Sequence, residues 1–139
     1  MTSEPSARER ERALVLVVED YEDTRDMYAA ALEGAGYVVE VAEDGERAIA
    51  AACRERPALI VMDLGMPGLD GFMAIRALRA LPELDSVFIL VLSAHTDTQS
   101  RDRAREAGGD AFLAKPMLPG DLVRCVSETL HDGARRLRH

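Results

Sequence analysis

The chain of 139 residues has no tryptophan, few aromatic residues and only two cysteines. Cys53 and Cys125 lie far apart without CxxC spacing, which argues against a disulfide framework or a cysteine metal site. Both fall on apolar helical stripes, so we predict small core residues. His95, His131 and His139 also lack the spacing of metal ligands.

Long apolar stretches are absent as well. The longest runs, such as residues 13–18 and 87–92, are far shorter than the roughly 20 residues that span a bilayer. Residues 1–11 are polar and charged, without the apolar core of a signal peptide. We therefore expect a cytoplasmic protein with no membrane insertion.

Positive charge is in deficit, because 25 acidic residues face 17 basic ones and the net charge is −8. An acidic surface argues against non-specific binding to DNA or to anionic membranes, so we expect no direct DNA binding. The hydrophobic fraction of 47% and the charged fraction of 30% are ordinary for a globular protein. The length is that of one domain.

Apolar runs without polar alternation predict buried parallel strands. Four such runs are residues 14–18, 59–62, 87–92 and 111–114, and a valine-rich fifth, residues 37–42, is predicted nearer an edge. Amphipathic segments between them predict helices, the first with Asp23 or Thr24 as N-cap and the last opened by Pro119. The alternation predicts an α/β doubly wound sheet over residues 12–131. Residues 1–11 and 132–139 are predicted to be charged tails, the second one basic.

Polar residues collect where the apolar runs end. Glu19 and Asp20 follow the first run, Asp63 the third, Ser93 the fourth and Lys115 the fifth. Each alone is typical of a helix cap, a turn or a solvated side chain. In open α/β sheets, however, ligands bind beyond the carboxyl ends of the strands, so these side chains are predicted to share one crevice.

Three carboxylates in one crevice repel each other unless a cation lies among them. A hard divalent cation accepts several carboxylate oxygens, and Lys115 adds a second positive charge. Such a site suits phosphoryl transfer, which depends on positioning and on neutralising phosphoryl oxygens. Asp63 is central in the predicted sheet, so we predict that it accepts the phosphoryl group as an acyl phosphate.

The loop after Asp63 shapes a tight turn through Pro67, Gly68 and Gly71, and Gly65 leaves its carbonyl accessible. Its glycines do not form the GxGxxG pattern, so no nucleotide site is predicted.

The segments VLVVED, MDLGMPGLDG, VLSAH and FLAKP, in this order and spacing, resemble the receiver domain of two-component response regulators, over about residues 12–131. The resemblance implies a flavodoxin-like, five-stranded parallel sheet of order 2-1-3-4-5 with five helices in three αβα layers. Because no effector domain follows Leu130, we expect a stand-alone receiver of the CheY-like type with output through protein contact. A monomer or a weak dimer is expected.

The resemblance implies a role for each matching residue. Asp63 would be phosphorylated by a sensor histidine kinase or a histidine phosphotransfer protein. Mg²⁺ would be ligated by Asp20, Asp63 and the backbone carbonyl of Gly65, with Glu19 assisting. Lys115 would pair with a phosphoryl oxygen, and its bond to the following proline would be cis.

The resemblance also implies a switch. Ser93 would bond the phosphoryl group, and Phe112 would turn inward as Ser93 moves, changing a protein-contact face over about residues 98–130. The domain would act either as an output switch or as a shuttle in a phosphorelay. Glu19 replaces the commoner Asp, and Phe112 lacks the hydroxyl of the commoner Tyr. Gly65 and His95 occupy positions that tune self-dephosphorylation, and without a side chain at 65 to place water we expect no rapid hydrolysis.

Three other functions compete with this interpretation. A pseudo-receiver, used as a constitutive interaction module, would normally have lost an acid or the lysine, and all are present. An aspartyl phosphatase would need a second acid where Gly65 stands. A flavodoxin would place a phosphate loop after the first strand, where Glu19 and Asp20 would repel it. We therefore expect no enzyme beyond self-phosphorylation and self-dephosphorylation.

Overall fold

The computed structural model describes residues 13–64 and 71–137, with side chains up to residue 131. The strands are β1 (Leu14–Val18), β2 (Val38–Ala42), β3 (Leu59–Asp63), β4 (Phe88–Ser93) and β5 (Ala111–Ala114). The α-helices are α1 (Glu22–Gly34), α2 (Gly45–Glu55), α3 (Gly71–Arg79), α4 (Thr98–Ala107) and α5 (Pro119–Leu137), and a 3₁₀ turn spans Pro82–Leu84.

The strands form one parallel sheet in the order β2-β1-β3-β4-β5, which confirms the predicted α/β fold. β2 lies at one edge, as predicted. β5 lies at the other and is half-buried rather than buried, because only β4 pairs with it. The bond between Lys115 and Pro116 is cis, as the resemblance implies.

Alternate side chains of each central strand enter two separate apolar clusters, one on each face of the sheet. On one face, α2, α3 and α4 pack against Leu16, Val18, Ile60, Met62, Ile89 and Val91. On the other, α1 and α5 pack against Val15, Val17, Leu59, Val61, Leu90 and Leu92. Because both faces are covered, these strands have continuous apolar sequences.

Local sequence sets several helix ends. Asp44 caps α2 by accepting a hydrogen bond from the Arg47 N–H at 2.8 Å, and α4 ends at Gly108, whose φ is 120°. The predicted cap of α1 is wrong. That helix begins at Glu22, one residue before Asp23, and no side chain caps it. Instead, the carboxylates of Glu22 and Asp23 in the first turn interact favourably with the positive end of the helix dipole.

Two further predictions are wrong. Cys53 is exposed, because the buried stripe of α2 runs through Ala48, Ala51 and Ala52 and leaves the next residue outside. Residues 132–137 are not a tail but the end of α5, because a single glycine among helix-forming residues does not stop a helix. The predicted tail of residues 1–11 lies outside the described residues. Within the described residues, no helix has the length and apolar character to cross a bilayer.

Arg79, at the end of α3, ties three segments together. Its guanidinium donates hydrogen bonds to the carbonyls of Gly108 at 2.9 Å and Leu84 at 3.2 Å and pairs with the Asp110 carboxylate. Asp110 also accepts a hydrogen bond from the Ile89 N–H at 2.9 Å. One half-buried ion pair thus fixes α3, the start of β4 and the turn before β5.

We expect Arg79→Ala to lower the free energy of unfolding by about 2–3 kcal/mol, because the Asp110 carboxylate and two carbonyls lose donors in a partly buried place. Arg47→Ala is the matched control: it removes an exposed pair with Glu43 and should cost less than about 0.5 kcal/mol. Urea denaturation of both variants measures the difference. Equal losses would show that the Arg79 network adds no more than a surface pair.

Candidate functional site

A cleft of about 530 Å³ opens at the carboxyl ends of β1, β3, β4 and β5. Its lining includes Glu19, Asp20, Asp63, Ser93 and Lys115. The structure therefore brings together all five residues that the sequence analysis places at the ends of apolar runs.

Backbone hydrogen bonds of the sheet position Glu19, Asp63, Ser93 and Lys115 at the cleft. Asp63 ends β3 opposite Leu92, and the next N–H, of Leu64, donates to the Leu92 carbonyl at 3.1 Å. The Lys115 N–H donates to the Ser93 carbonyl at 2.9 Å. The Glu19 N–H donates to the carbonyl at the end of β2 at 3.0 Å. Asp63 and Ser93 are thus the last residues of their strands, and Glu19 and Lys115 continue the ladder directly after β1 and β5.

The Lys115 ammonium bridges two carboxylates. Its Nζ lies 3.0 Å from Asp63 Oδ1 and 3.2 Å from Glu19 Oε1. The Glu19 side chain is 3% exposed and the Asp63 side chain 6%, so both acids depend on partners inside the protein. Burial alone would lower the pKa of Lys115, but hydrogen bonding and charge attraction from Asp63 and Glu19 outweigh it and raise that pKa.

One lysine does not balance the acids around it. Burial, with the adjoining Asp63 carboxylate second, raises the pKa of Glu19 to about 7, against the opposing pull of Lys115. The Tyr21 N–H approaches Glu19 Oε2 at 3.4 Å and adds little. The cleft therefore holds more negative charge than its residues neutralise.

The residues fit a hard divalent cation. Glu19, Asp20 and Asp63 each offer a carboxylate oxygen within 4.8 Å of the others, which makes an all-oxygen donor set. Glu19 and Asp63 are buried, whereas Asp20 is exposed at the mouth of the cleft. The fourth predicted ligand, the carbonyl of Gly65, lies outside the described residues.

The two predicted switch residues lie apart. Ser93 lines the cleft, and its Oγ accepts a hydrogen bond from the His95 N–H at 3.0 Å. Phe112 is half-buried against the apolar cluster of α2, α3 and α4 and is not a lining residue of the described cleft. The Arg101 guanidinium lies 5.4 Å from the centroid of the Phe112 ring. Phe112 thus connects α4 to β5 rather than to the acids.

Several lining residues were missed by the sequence analysis: Tyr21, Thr24, Leu64, Phe72, Ala94 and Ser100. Each follows a strand end or lies in the first turn of a helix, and that position was the available signal. The sequence analysis places Gly71 in the tight turn after Asp63 but does not predict its close contact with β3. A Cβ there would lie 2.8 Å from the Leu64 Cα and 3.2 Å from the Asp63 carbonyl, so only glycine lets α3 begin this close to the acceptor strand.

The raised pKa of Glu19 predicts a pH dependence for metal-free protein. Between the ordinary value of 4.5 and about 7, folded protein holds this proton more tightly than unfolded protein does, so unfolding free energy should fall as pH rises. One group limits the slope to about 1.4 kcal/mol per pH unit. Denaturation in a chelator from pH 5 to 8 should show this fall in wild type but not in Glu19→Gln. Parallel pH profiles would contradict it.

Comparisons with known proteins agree with this geometry. The family model of the response regulator receiver domain matches residues 15–127. An uncharacterized 14.6 kDa protein of Leptolyngbya boryana is 37% identical over 82% of this chain and 87% of its own length. The transcriptional regulatory protein PrrA of Mycobacterium tuberculosis is 39% identical over 84% of this chain but only 49% of PrrA. The chain thus spans about half the length of that regulator.

Solved structures give the same result. The chemotaxis protein CheY4 of Vibrio cholerae superposes with a TM-score of 0.80 at 33% identity, covering 84% of this chain and 97% of CheY4. A putative response regulator from Chloroflexus aurantiacus gives 0.78 at 33% identity, covering 86% and 98%. Receiver domains bind Mg²⁺ at an acidic pocket, and the acidic cleft described above lies within the matched region. The chain belongs to the response regulator receiver domain family.

Proposed function

We propose that this receiver accepts a phosphoryl group on Asp63 from a phosphohistidine in a sensor histidine kinase or a histidine phosphotransfer protein, in a Mg²⁺-dependent reaction. The observation that carries the proposal is the buried Asp63 carboxylate, held 3.0 Å from the Lys115 ammonium inside a cluster of three acids. This combination supplies a nucleophile, a fixed cation and ligands for a second cation.

In the transfer step, a carboxylate oxygen of Asp63 attacks phosphorus. The new O–P bond forms as the P–N bond of the donor breaks, and the bonding electron pair returns to the imidazole ring. Lys115 pairs with an equatorial phosphoryl oxygen and keeps it in place. Glu19, Asp20 and Asp63 would hold Mg²⁺, whose charge offsets that of the phosphoryl oxygens.

Phosphorylation changes the partners of Lys115. Before transfer, its ammonium bridges Asp63 and Glu19. After transfer, the phosphoryl group carries more negative charge and more acceptor oxygens than the carboxylate it modifies, so the ammonium moves to it. The unphosphorylated and phosphorylated states therefore differ in the partners of the Lys115 Nζ, and a switch requires such a difference in contacts.

The change reaches the surface through Ser93 and Phe112. The Ser93 Oγ already accepts the His95 N–H, so its own proton can be donated to a phosphoryl oxygen and draw the loop at residues 94–97 inward. Phe112 then turns inward, away from Arg101 of α4. The face over residues 98–130 changes shape, and a downstream protein reads it. The acidic surface suits contact with a protein rather than with DNA. We propose that the domain acts in the cytoplasm, as a monomer or weak dimer.

Asp63→Asn should abolish labelling, because an amide cannot form the acyl phosphate. We expect wild type to take up phosphate from acetyl phosphate only with Mg²⁺, and Asp102→Asn, which changes an exposed carboxylate of α4, to behave as wild type. Intact-mass spectrometry measures the added phosphate. Label on Asp63→Asn would disprove the assigned acceptor, and no label on wild type would favour a pseudo-receiver.

Lys115→Met should tighten Mg²⁺ binding, because it removes a cation that competes for the same carboxylates. The gain should be on the order of tenfold, since unit charges several ångströms apart in a partly buried place interact by 1 kcal/mol or more. Lys115→Arg keeps the charge and is the control. Isothermal titration calorimetry with MgCl₂ measures both constants, and weaker binding to Lys115→Met would contradict the shared site.

A further inference from the structure

Tyr28 links α1 to the loop that carries Lys115. Its ring is 3% exposed in the apolar cluster of α1 and α5, where the Met117 side chain also packs. Its hydroxyl donates a hydrogen bond to the Met117 carbonyl at 2.9 Å, across 89 residues of sequence. Neither the four segments that resemble receiver domains nor the proposed transfer step accounts for this contact.

The loop over residues 115–118 needs support. It leaves β5, an edge strand, and the backbone of Pro116 has no N–H to donate. The Lys115 N–H bonds the Ser93 carbonyl at one end, and the Leu118 carbonyl accepts from the Leu122 N–H at the other. The Tyr28 hydroxyl holds the middle.

The space beside this loop makes that hydrogen bond important. A groove of about 320 Å³ lies beside α1 and the loop, and residues of both segments line it, among them Met27, Tyr28, Lys115, Pro116 and Met117. Open space therefore borders the loop beside the Tyr28 hydrogen bond. The groove gives the loop room to move when this hydrogen bond is lost, and Lys115 itself belongs to the lining.

We infer that Tyr28 is a positioning residue for Lys115, because its hydroxyl anchors the loop from which the ammonium reaches Asp63. This inference rests on the proposed phosphoryl transfer. Tyr28 touches neither acid in the contacts described here, so it acts through the loop. The charges of Lys115, Glu19 and Asp63 nevertheless reach its hydroxyl, whose pKa is raised mainly by burial.

The chain provides a matched control in Tyr37. It is 8% exposed, packs in the same cluster, and its hydroxyl pairs with the Ser127 Oγ of α5 at 2.7 Å across 90 residues. Tyr37 and Ser127 do not line the described cleft. Tyr28→Phe and Tyr37→Phe therefore each remove one long-range hydroxyl contact of similar strength, and only the first contact lies at the lysine loop.

Two measurements on the full chain test the inference. The first is the NMR signal of the Lys115 Cε and Nζ atoms in Mg²⁺-free protein, which Tyr28→Phe should shift and Tyr37→Phe should leave in place. The second is the rate of labelling by acetyl phosphate with Mg²⁺. Tyr28→Phe should slow it roughly three- to tenfold, the rate equivalent of one lost hydrogen bond, and Tyr37→Phe should stay within about twofold of wild type.

The outcomes separate the two proposals. Unlabelled wild type would defeat the proposed function, and the Lys115 signals would still decide whether Tyr28 positions the lysine. Unchanged Lys115 signals and an unchanged rate in Tyr28→Phe would overturn the inference. Equal changes in both variants, matched by equal losses of stability, would also overturn it, because Tyr28 would then only support the fold.

Discussion

The pairing of one buried ammonium with two buried carboxylates is the contact around which the carboxyl end of this sheet is organised. Lys115 lies close to both Asp63 and Glu19, and neither acid has much access to water. Without Lys115, one of the two acids would have to bind a proton, because neighbouring buried carboxylates do not both stay ionised without a cation. Strands β1, β3 and β5 must therefore end at the same level, or the ammonium could not reach both.

The strand order makes that arrangement possible. β1 and β3 are neighbours, so Glu19 and Asp63 leave adjacent strands on the same side of the sheet. β4 stands between β3 and β5, so Lys115 must reach across it, and a long flexible side chain does this. Ser93, at the end of β4, lies between the acid and the lysine in strand order. Covering both faces with helices keeps water away from these strands while leaving their ends open.

The sequence predicted what depends on burial and on strand order. Uninterrupted apolar runs predict the strands, and the polar residues after the runs predict the cleft, so Glu19, Asp63, Ser93 and Lys115 follow from the sequence alone. At the border of an apolar helical stripe, however, the sequence does not decide which residues are buried. Cys53 is exposed because it lies one residue beyond the stripe of Ala48 and Ala52, a difference of about 100° around the helix.

Contacts between side chains and distant backbone were also out of reach. Arg79 donates a hydrogen bond to the carbonyl of Gly108, and Tyr28 donates one to that of Met117. Every residue has a backbone carbonyl, so the sequence does not indicate which one is the acceptor. The apolar periodicity of α1 shows that Tyr28 faces the core, but it does not show which group accepts the hydrogen bond of its hydroxyl. Such contacts become visible only when three-dimensional positions are known.

A switch that works by exchanging the partners of one lysine needs a fixed backbone and a movable side chain. If the loop at residues 115–118 moved with the ammonium, the gain of a phosphoryl contact would be spread over several residues and lost to entropy. Hydrogen bonds join this loop to β4, α1 and α5, so under the proposed exchange the change would be confined to the side-chain torsions of Lys115. Under the same proposal, Ser93 would pass the change on, because its hydroxyl joins the cleft to the loop before α4. Under the proposed function, the response would therefore leave the cleft through the loop after Ser93, toward α4 rather than toward α1.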